Sequence, residues 1–296
     1  MLIENDKLIS EEPLLAKIMN EYFTNITKNL NLKPSPHFSD IKDTFSFYQD
    51  HISINKIMSQ SNSEFETFHF QPISSNELRK EILNLNIKKA TREGDIPVNL
   101  LKGSIDTYLP ILTEIINSSF EQNVFPNELK LADVIPIFKK KDPLNKENYR
   151  PVSILSHMSK VFERLIYKQI DDFMKNKLSA KLCGFRKNHS TQYSLISMLE
   201  KWKTSLDKGD YVGAIFMDLS KAFDTINHDL LLAKLKAYGF SHNALVFMLS
   251  YLKNRSQRVN INNNFSTWEE IIAGVPQGSI LGPLLFNIFI NDIFFL

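Results

Sequence analysis

The sequence predicts an α+β fold, and two kinds of periodicity support that prediction. Apolar residues recur at helical spacing in "LLAKIMNEYFTNITKNL" and in "SKVFERLIYKQIDDFMKNKL". Short apolar runs flank polar turns in "LADVIPIFKKKDPLNKENYRPVSIL" and in "QRVNINNNFSTWEEIIAGV", as is typical of hairpin strands. Helical patterns dominate up to about residue 130, and strand patterns enter after it.

The first 130 residues are predicted to be largely helical. Residues 1–31 carry one apolar helical face, formed by Leu15, Ile18, Met19, Tyr22, Phe23 and Ile26. Residues 32–70 are polar and contain Pro34 and Pro36, which predicts a loosely ordered connector. Two more amphipathic helices follow, one capped by Ser74 or Ser75 and one ending before Pro126. We therefore expect a helical extension over 1–70 and a helical unit over 71–130.

Residues 131–296 are predicted to form a third unit that contains the strands. A strand, a basic turn and a second strand come first, and a helix follows them. The apolar run from Val212 to Met217 predicts a buried strand that ends at Asp218. Two helices come next, the first closed by Gly239. A hairpin turning at Asn262–Asn264 then leads through a Gly/Pro loop to a very apolar helix.

Composition narrows the class of protein. The 296 residues carry a formal net charge of only +2 and a single cysteine, so bulk charge does not predict nucleic-acid binding. The N-terminus lacks a signal-peptide pattern, and the apolar C-terminal run is too short to span a membrane. We expect an intracellular protein, nuclear or cytoplasmic, that has no membrane partner.

Asp218 is a candidate metal ligand because it follows a predicted buried strand directly. Mg²⁺ is commonly bound by one or two carboxylates together with phosphate oxygens, and nucleotidyl transfer uses such a site. An aspartate at the end of a strand more often caps the following turn. Taken by itself, this carboxylate therefore favours the structural interpretation.

The turn between the first two strands of the third unit is basic. It contains Lys139, Lys140, Lys141, Lys146 and Arg150, opposed by two carboxylates. Such a hairpin could hold a triphosphate or a nucleic-acid backbone. A solvated turn explains the lysines at least as well. Arg150 differs, because it begins the second strand, where an arginine without a partner would be costly to bury.

Two further loops could contact a ligand. In "GVPQGSILGP" the glycines allow close approach of the backbone, and Gln277 offers both a donor and an acceptor. In "GFRKNHSTQ", Arg186 and Lys187 stand beside hydroxyl groups and suit phosphate contacts. A plain loop before a helix and a plain surface turn are equally good explanations.

The order of these motifs is more specific than any one of them. "YRPVSIL", "FERLI", "GFRKNHST", "DLSKAFDTINH" and "PQGSILGPLLF" occur in this order from about residue 150 onward. In this respect the sequence resembles the reverse transcriptases of non-LTR (LINE-type) retrotransposons, with the CR1/jockey-like groups as the nearest likeness. The resemblance runs from about residue 70 to the end, and "MNEYFTNITKNL" is similar to the linker before the polymerase in those elements.

The resemblance implies a right-hand polymerase, with fingers and an incomplete palm, that copies an RNA template onto a DNA primer from dNTPs with Mg²⁺ or Mn²⁺. Asp218 would be the catalytic metal ligand, and the backbone at Leu219 would touch the triphosphate. Phe223 would exclude a 2′-OH from the sugar site. The resemblance places the remaining contacts at Lys139, Arg150, Gln277 and Gly278 for the nucleotide and at Lys140, Lys141, Arg186 and Lys187 for nucleic acid.

Two features depart from what the family would supply. Asp224 does not fit a metal ligand, and we expect it to cap backbone amides near Asn227. The family's aromatic–Ala–Asp–Asp box does not occur in the 296 residues, and neither does a thumb. We therefore expect a fragment with little or no polymerase activity, and the alternative is a catalytically silent binder of RNA or DNA. The oligomeric state and the RNA template stay open.

Overall fold

The computed structural model describes residues 1–4, 7–29, 41–60, 66–88 and 90–295. Helices and strands are mixed, which confirms an α+β protein. The helices are α1 Glu12–Thr24, α2 Ile26–Asn29, α3 Ile41–Tyr48, α4 Ile52–Ser59, α5 Ser75–Leu83, α6 Val98–Gly103, α7 Ile105–Gln122, α8 His157–Met174, α9 Thr191–Asp207, α10 His228–Ala237, α11 His242–Leu252 and α12 Leu281–Ile290. The strands are β1 Leu2–Glu4, β2 Lys7–Ile9, β3 Leu131–Phe138, β4 Tyr149–Leu155, β5 Arg255–Ile261, β6 Asn264–Phe265 and β7 Glu269–Ile271.

The larger sheet carries the basic turn at one of its ends. Strands β3 and β4 form the predicted antiparallel hairpin, in which Ile137 lies opposite Arg150. Strand β5 joins the other edge of β3 in parallel and pairs with β6 and β7 in antiparallel fashion. The turn after β5 contains Asn262 and Asn263 in the left-handed region, at φ 49° and 67°, as the sequence predicted.

An aromatic cluster holds the helical body together. Phe162 of α8 contacts the rings of Phe120, Phe125 and Phe247 at centroid distances of 5.5, 5.1 and 6.1 Å. All four side chains are buried, and they join α7, α8 and α11. Offset and edge-to-face aromatic pairs stabilise such a core beyond the area that they bury. The helices that the periodicity predicted here are confirmed.

The N-terminal segment packs on the sheet. Its predicted helical face is confirmed in α1 and α2, which are preceded by the short β1–β2 hairpin. Met19 and Phe23 of α1 are buried in a small second core with Val134 of β3 and Val259 of β5. The extension is therefore fixed to the strands that carry the basic turn.

The predicted connector over residues 32–70 is wrong for residues 41–59, which form α3 and α4. These residues are polar on average, but they include a few apolar side chains that pack in the main core. Those side chains are Ile41, Tyr48, Ile54 and Ile57. Spacings of three and seven residues place such side chains on one helical face. Pro34 and Pro36 lie outside the described residues.

The predicted buried strand from Val212 to Met217 is also wrong. These residues form neither helix nor strand, and Ile215, Phe216 and Met217 are 89, 83 and 87% exposed. A strand needs a partner backbone for its N–H and C=O groups, and no described strand pairs with this segment. The apolar pattern predicted an environment that the described residues do not provide.

Within the described ranges, no helix is both long enough and apolar enough to cross a membrane.

Two phenylalanines of opposite exposure test this account of the core. Phe162→Ala should lower the free energy of unfolding by about 3–5 kcal/mol, because it leaves a cavity in the aromatic cluster. Phe216→Ala, at an exposed position, should change it by less than about 0.5 kcal/mol. Urea unfolding followed by circular dichroism measures both values. Equal effects of the two substitutions would contradict the assigned core.

Candidate active site

One open cleft, with a volume of about 660 Å³, gathers residues from four separate parts of the chain. The β3–β4 turn forms one wall, and residues 218–224 form another. Gln277 and the side chain of Tyr22 complete it. The predicted site residues that line this cleft are Lys139, Lys140, Lys141, Arg150, Asp218, Leu219, Phe223 and Gln277.

The cleft is predominantly basic. Five cationic side chains line it against three carboxylates, Glu147, Asp218 and Asp224. Lys139, Lys140, Lys141 and Arg150 are exposed, and none of them is in an ion pair among the described residues. Cations gathered in a concave site raise the local concentration of anions. The arrangement therefore suits a polyanionic ligand.

Lys221 is a cleft residue that the sequence analysis missed. Its backbone lies in the left-handed region at φ 52°, an uncommon conformation for a residue other than glycine. Its carbonyl accepts a hydrogen bond from the Asp224 amide at 2.9 Å, and its ammonium donates to the Tyr149 carbonyl at 3.2 Å. Burial lowers the pKa of Lys221, and Asp224 and Glu147 partly oppose that shift.

The ring of Phe223 lines the cleft and packs against two other aromatic rings. It lies 4.9 Å from the ring of Phe286 in α12 and 5.6 Å from that of Phe185. Phe223 is half-buried, and aromatic contacts of this kind restrict its rotation. A flat, fixed surface thus faces the cavity beside the basic wall.

Asp224 is bound by Gln277. The Gln277 amide nitrogen donates to both carboxylate oxygens, at 2.8 and 2.7 Å. Burial raises the pKa of Asp224 to about 6, although Gln277 and Lys221 favour the charged form. The predicted capping role of Asp224 is wrong, because Asn227 caps α10 with its own side chain, which accepts from the Leu230 amide at 2.9 Å. Helix caps and buried polar contacts cannot be told apart in a local sequence.

The loop from residue 274 to 279 is clamped between two backbones. On one side the Val275 amide donates to the Phe223 carbonyl at 2.9 Å, and on the other the Ser153 amide donates to the Gln277 carbonyl at 2.7 Å. Gly274 has φ +81°, and a Cβ there would lie 2.7 Å from Asp224 backbone atoms. The loop needs a glycine at this position because of both the backbone conformation and the close approach.

Three predicted site residues lie elsewhere. Gly278 faces a second cavity of about 380 Å³ that is also lined by Lys160 and Arg164. The guanidinium of Arg186 donates to the carbonyls of Ser179, Leu182 and Lys175, at 2.8, 3.2 and 3.3 Å. The side chain of Lys187 is exposed.

The family follows from comparison with known proteins. Residues 138–296, more than half of the chain, match the family described as reverse transcriptase (RNA-dependent DNA polymerase). This chain belongs to the reverse transcriptase family. The match includes the basic turn, the 218–224 segment and the 274–279 loop, so most of the cleft lies within the matched region, and only Tyr22 and Ile26 of its lining lie outside it.

Individual relatives of this reverse transcriptase come from fly transposable elements. The chain is 34% identical over 226 residues to a probable RNA-directed DNA polymerase from transposon BS of Drosophila melanogaster, covering 75% of the chain and 25% of the relative. It is 33% identical over 224 residues to the RNA-directed DNA polymerase from mobile element jockey of Drosophila funebris, covering 75% and 24%. The X-element polymerase of Drosophila melanogaster is 34% identical over 184 residues, covering 61% and 20%.

These relatives show a reverse transcriptase domain of the non-LTR retrotransposon kind. The chain spans about a quarter of the length of the first of them. The expectation of a CR1/jockey-like reverse transcriptase is confirmed at the level of family.

Reverse transcriptases generally use divalent metal ions, and the cleft offers a carboxylate to such an ion. Asp218 presents an exposed carboxylate to the cleft. Among the described residues, no three His, Cys, Asp or Glu side chains form a metal-binding group. One carboxylate together with phosphate oxygens is a donor set that Mg²⁺ accepts. The cleft therefore fits a metal that arrives with a phosphate ligand.

The Asp224 contact generates a pH prediction. The pKa of Asp224 is about 6 in the folded protein and has the ordinary value of 3.8 in the unfolded chain. Between these two pH values the Asp224 carboxyl group is mostly protonated in the folded protein and mostly ionised in the unfolded chain. The contribution of Asp224 to the free energy of unfolding therefore falls by roughly 2–3 kcal/mol as pH rises from about 4 to about 6. Asp224→Asn removes that cost, so its melting temperature relative to wild type should rise between pH 4 and pH 7. A difference that is constant or falls over this range in calorimetry would contradict the assignment.

Proposed function

We propose that this chain carries out the nucleotide-binding and catalytic part of RNA-templated DNA synthesis. Reverse transcriptases act on RNA templates with primers and dNTPs. One observation carries the proposal: a single cleft brings together residues from the basic turn, from "DLSKAFD" and from "PQGS" that are far apart in the sequence. In these terms the β3–β4 hairpin belongs to the fingers, and residues 218–224 with the 274–279 loop belong to the palm.

The basic wall would bind the triphosphate of the incoming dNTP. Arg150 offers a planar fork of donors that matches phosphate oxygens, and Lys139 and Lys221 add positive charge beside it. Leu219 lies in the same wall, where its backbone can approach the phosphates. Gln277 would hold Asp224 in place. Through Asp224 it would also fix the position of the 218–224 segment relative to Arg150.

Phe223 would lie under the sugar of the nucleotide. Because Phe286 and Phe185 fix its ring, the ring cannot move aside for a larger sugar. The 2′-OH is the group that distinguishes a ribonucleotide from a deoxyribonucleotide. A fixed aromatic surface at this point therefore selects dNTPs.

Asp218 would hold Mg²⁺ or Mn²⁺ together with the phosphate oxygens. When bound, the ion neutralises charge on the phosphates during nucleotidyl transfer. The chain's own contribution is positional: Asp218, Arg150 and Phe223 fix the metal, the phosphates and the sugar relative to one another.

Nucleotide binding by the 296-residue chain tests this proposal. Arg150→Ala should weaken binding of dTTP with Mg²⁺ roughly 10- to 100-fold, because charge-assisted hydrogen bonds to phosphate are lost. Asp218→Asn should remove the dependence of binding on Mg²⁺. Isothermal titration calorimetry measures both effects, with Lys187→Ala as the control for a cation outside the cleft. Binding that is unaffected by Arg150→Ala would contradict the proposal.

Sugar selection is a separate prediction. Phe223→Ala should reduce the preference for dUTP over UTP roughly tenfold, mainly by improving UTP binding, because it opens space at the 2′ position. Competition titrations with the two nucleotides, which differ only in the 2′-OH, measure the ratio. An unchanged ratio would show that Phe223 does not face the sugar.

The predicted nucleic-acid contacts divide into two structural classes. Lys140 and Lys141 are exposed at the cleft, whereas the guanidinium of Arg186 is engaged by three carbonyls. Lys140→Ala with Lys141→Ala should lower the salt dependence of RNA–DNA duplex binding by about two phosphate contacts and leave the melting temperature unchanged. Arg186→Ala should instead lower the melting temperature. The reverse pattern in anisotropy and melting experiments would overturn this division.

A further inference from the structure

The N-terminal helix α1 is anchored firmly to the sheet. The Asn20 amide donates to the Thr267 carbonyl at 2.9 Å, and its side-chain oxygen accepts from Gln257 of β5 at 3.1 Å. Asn20 is buried, and Glu12 at the other end of the helix accepts from Asn262 and Asn264 at 2.6 and 2.7 Å. Polar contacts of Asn20 and Glu12 thus hold α1 on the sheet, in addition to its apolar packing.

One side chain of this helix, Tyr22, reaches the cleft. The Lys221 ammonium lies 5.3 Å from the centroid of its ring, and the Lys146 ammonium lies 5.9 Å from it. Lys146 is held in turn by Glu4 of β1, at 2.6 and 2.7 Å. Cations within about 6 Å of an aromatic face are attracted to it. The N-terminal segment thus contacts both the basic turn and the 218–224 segment.

Charges of both signs surround Lys221 in the cleft. Burial, Lys139 and Arg150 oppose its charge, whereas Asp224 and Glu147 favour it. A lysine side chain has several rotatable bonds and is strongly hydrated, so it turns toward bulk water unless something holds it. The Tyr149 carbonyl supplies one neutral contact and the Tyr22 ring supplies another.

We propose that Tyr22 is a positioning residue for the nucleotide pocket, whose ring holds the Lys221 ammonium where it meets the triphosphate. The inference rests on the proposed function and extends it to a segment outside the matched family region. It makes the N-terminal helix a determinant of dNTP affinity through one aromatic contact.

A double-mutant cycle tests the inference. Binding of dTTP with Mg²⁺ is measured by calorimetry for Tyr22→Leu, Lys221→Met and the double variant. Tyr22→Leu should weaken binding about three- to tenfold, the range expected for a partly desolvated cation–π contact. In the Lys221→Met background the same change should have less than a twofold effect. Tyr22→Phe, which keeps the ring, should restore wild-type affinity.

Two controls separate the possible causes. Tyr193→Leu removes an exposed tyrosine from α9, outside the cleft, and should leave affinity unchanged. Equal losses from Tyr22→Leu in the two backgrounds, or no rescue by Tyr22→Phe, would show a merely structural role and overturn the inference. Weakening by Arg150→Ala without any effect of Tyr22→Leu would overturn it while leaving the proposed function intact. Absence of dTTP binding by the wild-type chain would overturn both.

Discussion

The hydrogen bonds of Gln277 fix the geometry on which the cleft depends. Its backbone carbonyl accepts from Ser153 of β4, and its side chain donates to Asp224. Strand β4 carries Arg150, and the segment before Asp224 carries Phe223. Gln277 therefore links the basic wall of the cleft to the segment that carries the Phe223 ring. The contact of Lys221 with the Tyr149 carbonyl of β4 joins the same two walls.

The cleft concentrates features that oppose folding. Lys141 and Lys221 have positive φ, at 74° and 52°, and Lys139, Lys140, Lys141 and Arg150 stand together with no ion pair to any described residue. Each such feature costs stability and persists because the surrounding sheet and helices over-determine it. The four phenylalanines of the aromatic core, Phe120, Phe125, Phe162 and Phe247, all have negative φ. The aromatic core and the positive charge of the cleft thus lie in different parts of the chain.

Apolar periodicity in the sequence predicted those helices and hairpins whose formation depends mainly on their own residues. Periodicity predicted α5, α7, α8, α10 and α11 and both hairpins, because each of these segments has an apolar face of its own. It failed between Val212 and Met217, since an apolar run does not reveal whether a partner strand exists. The order of motifs predicted most of the cleft, but not the contact of Asp224 with Gln277, which spans 53 residues. Lys221 was missed because a lysine next to an aspartate motif has no pattern that distinguishes it from a solvated one.

The contact of α1 with β5 has a consequence for the order in which the chain can assemble. Asn20 of α1 accepts a hydrogen bond from Gln257 of β5, which lies 237 residues later in the chain, so α1 cannot complete its docking on the sheet before β5 is made. Contacts of such long range form slowly, because a large loop must close first. During synthesis from the N-terminus, the β3–β4 hairpin can form early, while the apolar face of α1 stays uncovered until β5 leaves the ribosome. Helix α1 therefore precedes β5 in synthesis but docks only after it, and its docking places Tyr22 at the cleft.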